Sequence, residues 1–463
     1  MLVSFSVSNF RSFNQEQTFS LVASKRHTGL HENHAVPIIH SDESVLRAGV
    51  IYGANGAGKS NLFKALRFLQ KMALAVRDKE EEIPLEPFLL NQTMGVSRLD
   101  LQFVSFDNLY RYGIKLTDVQ VDEEWLVRIV DGKEKIIFER ITSEEGSVSV
   151  ELGDAESIDD SKFEKFAAMV KVGGPRNQTF LATVRSTLDV SSWPKRVSDA
   201  IDWFSDLRLV GPGDPVHRNA SAFISDDDLL SFAGEFLSAA ATGIDRLQVS
   251  QTTLSEEEMA GLGLASLRQR LASAAIEGKP VRLTRPNGDV IIAEKIGDRL
   301  QYSLVQLKAA HRSQDGQAIP FGIEQESDGT KRILDLIPAL HSFKQKPLCY
   351  FIDEIDRSLH PMLAREFIDF FFRSCQNRPA QLIVTTHESS LLDQDLLRRD
   401  EIWFAEKDEQ GATKLYSLLD FAPRNDLDLR KNYLQGRFGA IPFLGGMERL
   451  LEKQQHPAGA KIE

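Results

Sequence analysis

The chain has 463 residues, a length that fits about two or three domains, and its 42% hydrophobic content is enough for real cores. A formal net charge of −12 excludes a surface built broadly to coat nucleic acid, while leaving a local basic groove open. Two cysteines, Cys349 and Cys375, give no disulfide or metal framework and fit a reducing compartment.

The opening MLVSFSVSNFRSFNQ has neither the basic flank nor the apolar run of a secretory signal. No segment approaches the roughly 18 apolar residues of a membrane span. A cytoplasmic chain with no membrane partner is therefore expected. LVSFSVSNF alternates, with Val3, Phe5 and Val7 on one face and serines on the other, so it reads as a half-buried strand with QTFSLVAS as its partner. VLRAGVIYG is a buried strand that runs into a glycine-rich loop, and Leu62, Leu66, Leu69 and Ala73 then recur at helical spacing from near Lys59. YRYGIKL, EWLVRIVDGKEKIIFERI and SVSVEL are strand-like, with Asp131-Gly132 as a hairpin turn.

The character changes near Ile158. SKFEKFAAMVKV, KRVSDAIDWFSDL, DDDLLSFAGEFLSAAATGI and SEEEMAGLGLASLRQRLASAA read as helices, with GPGDP as a break and Ser255 and Glu258 forming a capping box. NQTFLATV reads as a strand, and VRLTRPNGDVIIAE as a hairpin about Asn287-Gly288. No heptads are sustained, so no long coiled coil is expected. The last part alternates apolar strands (PLCYFIDE, AQLIVTTHE, DEIWFAEKD, KLYSL) with helices (MLAREFIDFFFRSC, LLDQDLLRR), an α/β pattern with a parallel core.

GANGAGKS, residues 53–60, is a phosphate-loop pattern between a strand and a helix. Gly53, Gly56 and Gly58, with Ala54, Asn55 and Ala57 between them, allow backbone N–H groups to close on phosphates at a helix N-terminus, and Asn61 follows in the first turn. Lys59 reaches the β/γ oxygens, and Ser60 is a ligand for Mg2+. In CYFIDEID, Asp353 and Glu354 end a buried strand, the place where acids face a phosphate loop. Asp353 is expected to hold Mg2+, and Glu354 to polarise the attacking water as general base. LIVTTHE ends in His387, placed to bond the γ-phosphate. SDGT, residues 327–330, opens a helix striped by Ile333, Leu336, Ile337 and Leu340. It reads either as a capped core helix or as a second anion site offered in trans across a two-fold axis.

The ordered set resembles the ABC-type ATPase heads: Walker A, a Ser-x-Gly signature, Walker B with a terminal Glu, a D-loop and a His. FSVSNFRSF is similar to the start of SMC and RecF-like heads, DEIDRSLHP to the D-loop of the OLD and RecF-like branch, and YLQGRFGAIPFL to the RloA-like, abortive-infection AAA-fifteen ATPases. The resemblance implies an α/β fold, an ABC head of mixed β meander plus parallel phosphate-loop core with an inserted helical lobe. Its expected parts are residues 1–157 (N-terminal head with Walker A), 158–318 (helical insertion or lid with a small hairpin) and 319–463 (C-terminal head with signature, Walker B, D-loop and His switch).

It further implies ATP and Mg2+ as cofactors, with Ser327 and Gly329 as trans contacts, Asp356 and Leu359 as D-loop residues, and Arg11 near the nucleotide. The expected protein is an ATPase that closes as a homodimer, or as a higher oligomer of dimers, on two ATP. It controls a separate effector, a nuclease or toxin, in bacterial anti-phage defence. The alternatives are a RecF/SMC-like DNA-repair ATPase acting on DNA and a slow-turnover ATP-dependent scaffold. SDGT departs from the usual Ser-Gly-Gly-Gln, and no Q-loop glutamine is assigned. The roughly 75 residues after His387 are too few for a Toprim nuclease of the usual domain size, so no fused nuclease is expected.

Overall fold

The computed structural model describes residues 1–25, 31–39, 41–90, 95–153, 164–212, 214, 220–261, 280–285, 288–297, 299–343, 348–375, 378–422 and 427–441. Asn287 of the expected hairpin turn, Pro215, most of the expected 255–275 helix and residues 442–444 of the tail motif lie outside the described residues. Packing divides the chain into a first unit of residues 1–209, 348–354 and 381–463 and a second of 210–347 and 355–380.

The first unit is built on two sheets. One is a seven-stranded antiparallel meander containing Leu2–Ser8, Gln17–Ser20 and the five strands from Ser97–Ser105 to Val148–Leu152. Leu2–Ser8 buries alternate residues, as its pattern predicts, and pairs antiparallel with Gln17–Ser20. Asp131 and Gly132 both take positive φ (51° and 73°), the turn in which the right-handed strand twist is accommodated. The second sheet has six strands, in the order Arg208–Val210, Cys349–Ile352, Gln381–Thr386, Ala48–Tyr52, Ile402–Lys407 and Thr413–Ser417. Its central pairings are parallel, and the last strand, Thr413–Ser417, pairs antiparallel with Ile402–Lys407. Every residue of the three central strands is buried, as the continuous apolar runs require. The meander and parallel core expected from the sequence are thus both present.

NQTFLATV is not a strand. Phe180–Thr187 is a helix whose N-cap, Thr179, accepts from Ala182 N. Glu124 accepts from Phe180 N (2.5 Å) and Leu181 N (3.1 Å), placing a carboxylate on the positive end of the helix dipole. A short apolar run does not distinguish helix from strand, and here the caps decide. LLDQDLLRR is not a helix. Asp393 O accepts from Leu396 N and Leu397 N, and Asp393 Oδ1 accepts from Asp395 N (2.8 Å), so local side-chain bonds fold the segment into turns.

In the second unit the Ser255–Glu258 capping box is present, with both reciprocal bonds made (2.7 and 3.2 Å). The middle block carries more sheet than the hairpin read from its sequence. Ile244–Leu254, Arg299–Arg312, Val290–Ile296, Val281–Thr284 and Ala318–Gly322 form one five-stranded antiparallel sheet. Val305, Leu307 and Ala309 alternate into its buried side, a period-two signal spread over a strand of 14 residues. The amphipathic helices Asp227–Ala239 and Asp328–Phe343 bury Leu229, Leu237, Ile333 and Ile337 in a core shared with Leu247 and Leu307 of the sheet.

A buried polar knot closes one end of the parallel sheet. His34 Nδ1 lies 3.0 and 3.1 Å from the two carboxylate oxygens of Glu401. Burial, then the charges of Arg398 and Arg47, pull the His34 pKa from 6.5 down to about 3, so the ring is neutral and the contact is a hydrogen bond. Between those values the unfolded chain binds a proton that the folded chain refuses. The ring's own contribution to stability is full above pH 6.5 and is lost progressively as pH falls toward about 3, while the Glu401 carboxyl, held by burial well above its ordinary range, contributes in the opposite direction. His34→Gln is expected to flatten the pH dependence of stability in that window by up to about 1.4 kcal/mol per pH unit, as read from urea midpoints of the two proteins.

Candidate active site

The parallel register sets the site. Ile352 pairs with Val384, and Thr386 pairs with Tyr52, so the strands preceding Asp353, His387 and Gly53 end side by side. That is the carboxyl edge of an α/β sheet, where such folds bind ligands.

The phosphate loop follows Tyr52, and the helix Lys59–Leu74 follows the loop. Gly58 has φ +107°, and a Cβ there would lie 2.0 Å from Thr413 Oγ1; at Gly53 a Cβ would lie 2.4 Å from Ala405 O. Close packing therefore demands glycine at both positions. Gly56 has φ +78° with open space around it, so there only the backbone conformation demands glycine. Asn55 and Gly56 are exposed, whereas Ala57 and Lys59 are buried and Ala54 is half-buried. Lys59 Nζ donates to Gly53 O (2.7 Å) and Ala54 O (3.1 Å) and lies 3.3 Å from His387 Nδ1. The ammonium thus sits inside the curve of the loop, beside the histidine that the sequence placed there.

Ser60 Oγ donates to Asp353 Oδ1 (3.2 Å), and Asp353 is 1% exposed. A hydroxyl and a carboxylate converging from the loop and from a strand end are hard oxygen donors of the kind Mg2+ takes alongside phosphate oxygens. Among the described residues no cluster of three or more His, Cys, Asp or Glu could hold a metal by itself. Glu354, the next residue, has φ +51°, and its N–H donates to Thr385 Oγ1 (2.8 Å).

Arg11 also has positive φ (50°). Its N–H donates to Glu86 O (2.6 Å), and its guanidinium is paired with the Glu86 carboxylate. The residue after it, Ser12, accepts from Asn61 Nδ2 (2.7 Å) and bonds Thr413 Oγ1 (2.8 Å), while Thr413 Oγ1 donates to Ala57 O (2.9 Å). The Arg11 turn is therefore attached to the phosphate loop through Ser12. Ser12, Thr413 and Thr385 escaped the sequence reading. Only Thr385 carried a signal, its place two residues before His387. Gln178, in NQTFLATV, is buried, its Oε1 accepting from Arg77 N and its Nε2 donating to Thr183 Oγ1 (both 2.9 Å).

Ser327, Gly329, Asp356 and Leu359 belong to the second unit. Ser327 caps the helix Asp328–Phe343, its Oγ accepting from Thr330 N (3.1 Å) and lying 2.9 Å from Thr330 Oγ1. Thr330 is buried. A Cβ on Gly329 would lie 3.0 Å from Ser358 O, so the backbone at Ser358 lies against the start of the helix Asp328–Phe343. Asp356 O accepts from Leu359 N (3.1 Å), and Leu359 packs against the core of its unit.

A family model described as "AAA domain, putative AbiEii toxin, Type IV TA system" matches residues 50–393. No curated protein matches. Among solved structures, an Smc head bound to the C-winged helix domain of ScpA is 15% identical, covering 91% of this chain and 99% of that one, with a TM-score of 0.37. The SMC head domain from Thermotoga maritima is 14% identical over 90% of this chain and 98% of that one (TM-score 0.32). An Smc head with an extended coiled coil, bound to the C-terminal domain of ScpA and derived from Pyrococcus furiosus, is 14% identical over 91% and 97% (TM-score 0.36). The family match takes in the phosphate loop, both strand-end acids and His387, and by it the chain belongs to this AAA-domain family.

Proposed function

We propose that the chain binds Mg-ATP at residues 53–60 and hydrolyses it. The reading rests on one observation: Lys59, Ser60, Asp353, Glu354 and His387 converge at the ends of three adjacent parallel strands. The loop amides and Lys59 take the phosphates, and Ser60 and Asp353 hold Mg2+, which neutralises charge on the phosphates when bound. Glu354 accepts a proton from the attacking water, and His387 steadies the γ-phosphate. Turnover is slow or regulated, as suits a switch.

Closure needs a second copy. The phosphates are already wrapped by the loop, so the capped N-terminus at Ser327 and Gly329, exposed and half-buried respectively, serves the nucleotide of another chain, with Asp356 and Leu359 shaping the D-loop beside it. Two chains then enclose two ATP, and higher oligomers are multiples of that dimer. The family description names a toxin and a type IV toxin–antitoxin system. In our reading, which rests on the sequence resemblance, closure controls a separate effector, a nuclease or toxin, in bacterial anti-phage defence in the cytoplasm. No helix among the described residues is long and apolar enough to cross a membrane.

Four variants test this. Lys59→Ala is expected to weaken nucleotide binding itself, by about tenfold or more on the scale of a lost charge-assisted contact. Glu354→Gln is expected to bind ATP normally while turnover falls by about a hundredfold or more. In light scattering its mass should double with Mg-ATP. Ser327→Arg added to Glu354→Gln is expected to abolish that association without changing ATP affinity. A Ser327→Arg single variant that hydrolyses ATP at the parent's rate rules out the trans role of the signature.

A further inference from the structure

Thr385 is fully buried and lies on the strand Gln381–Thr386, beside the strand that ends in the two acids. Its hydroxyl meets both of them. Thr385 Oγ1 lies 2.6 Å from Asp353 Oδ1 and 2.8 Å from Glu354 N. The proton positions follow from chemistry alone. A backbone N–H only donates, so the hydroxyl takes the Glu354 N–H on a lone pair and gives its single proton to Asp353 Oδ1.

Each bond has a separate consequence. The first fixes Asp353 Oδ1, the same oxygen that receives Ser60 Oγ, and so sets the direction in which this carboxylate faces the loop. The second holds Glu354 at φ +51°, a conformation that a non-glycine residue keeps only where its surroundings impose it.

We propose that Thr385 is a positioning residue for the ATPase reaction, aligning the Mg2+ ligand Asp353 and the general base Glu354 through one hydroxyl. It rests on the ATPase reading above. A geometric role of this kind acts on turnover and on the response to Mg2+, and leaves the grip of the phosphate loop on the nucleotide intact.

The test compares the full-length parent with Thr385→Val, which keeps the shape and removes the hydroxyl, and Thr385→Ser, which restores it. Phosphate release gives kcat and KM, and a fluorescent ATP analogue gives affinity with Mg2+ and with EDTA. For Thr385→Val the expected result is a fall in kcat of about tenfold to a hundredfold, with affinity in EDTA within about twofold of the parent and the Mg2+ enhancement of affinity reduced. Thr385→Ser is expected to recover kcat to within about threefold. A Thr385→Val protein with parental kcat and Mg2+ response overturns the proposal. So does one that loses affinity in EDTA as fully as it loses kcat, with no recovery in Thr385→Ser. If the parent releases no phosphate that Lys59→Ala removes, the ATPase reading itself falls. The Mg2+ dependence of binding then decides the Thr385 proposal, an unchanged dependence in Thr385→Val overturning it.

Discussion

The strand Gln381–Thr386 is held in register at both ends by buried polar side chains, and everything in the site depends on that register. Its six residues are buried on both faces, so no alternation of polar and apolar positions opposes a slip. Gln381 supplies the lock at one end. Its Oε1 accepts from Leu2 N (2.6 Å) and Cys349 Sγ (3.3 Å), and its Nε2 donates to Leu2 O (2.8 Å) and Leu46 O (2.9 Å). Thr385 supplies the lock at the other end. A slip of one residue moves each partner by about 3.3 Å, further than any of these bonds can stretch. It also leaves several buried polar groups unpaired, at about 1–3 kcal/mol each. With the register fixed, Ser60 and Asp353 meet although 293 positions separate them in sequence.

The loop is shaped by contacts equally distant along the chain. Thr413, on the antiparallel edge strand, donates its N–H to Ser12 O (2.7 Å) and its hydroxyl to Ala57 O (2.9 Å). Its side chain fills the space that a Cβ on Gly58 would need. The Arg11 turn and the strand Thr413–Ser417 therefore clamp the phosphate loop from beneath. The pre-set loop lowers the ordering cost of binding, because its backbone amides need not be gathered when phosphates arrive.

What the sequence makes legible is local. GANGAGKS between an apolar strand and a helical stripe places the loop, Asp131-Gly132 places a turn, and Ser255 with Glu258 places a helix start, because each signal lies within about one turn of chain. The acids and the histidine are legible because they end apolar runs. The misread segments fail for stated reasons. Phe180–Thr187 is a short apolar run whose helix is fixed by Glu124, more than fifty residues away. The segment after Leu391 has the apolar spacing of a helix but is folded by Asp393. Long-range hydroxyl partners such as Ser12, Thr385 and Thr413 leave no periodic trace at all, since a buried serine or threonine looks the same in sequence whether or not it bonds a functional group.

The two helix N-termini of the proposed composite site differ in electrostatic design. The helix Lys59–Leu74 has no acid in its first turn and begins with a lysine, so dipole and side-chain charge add where phosphates bind. The helix Asp328–Phe343 carries Asp328 in its first turn, exposed, with Lys331 Nζ 3.9 Å from its carboxylate. An exposed pair of that kind screens itself only weakly, and the aspartate opposes an incoming anion. The net charge of −12 thus leaves ATP capture unhindered, because the field at the phosphate loop is set within a few ångströms by amides and Lys59. The same physics makes the second contact the weaker one. In the proposed dimer, a tight first site and a weak second site would give capture by one chain and reversible closure by two, the behaviour a regulatory switch needs.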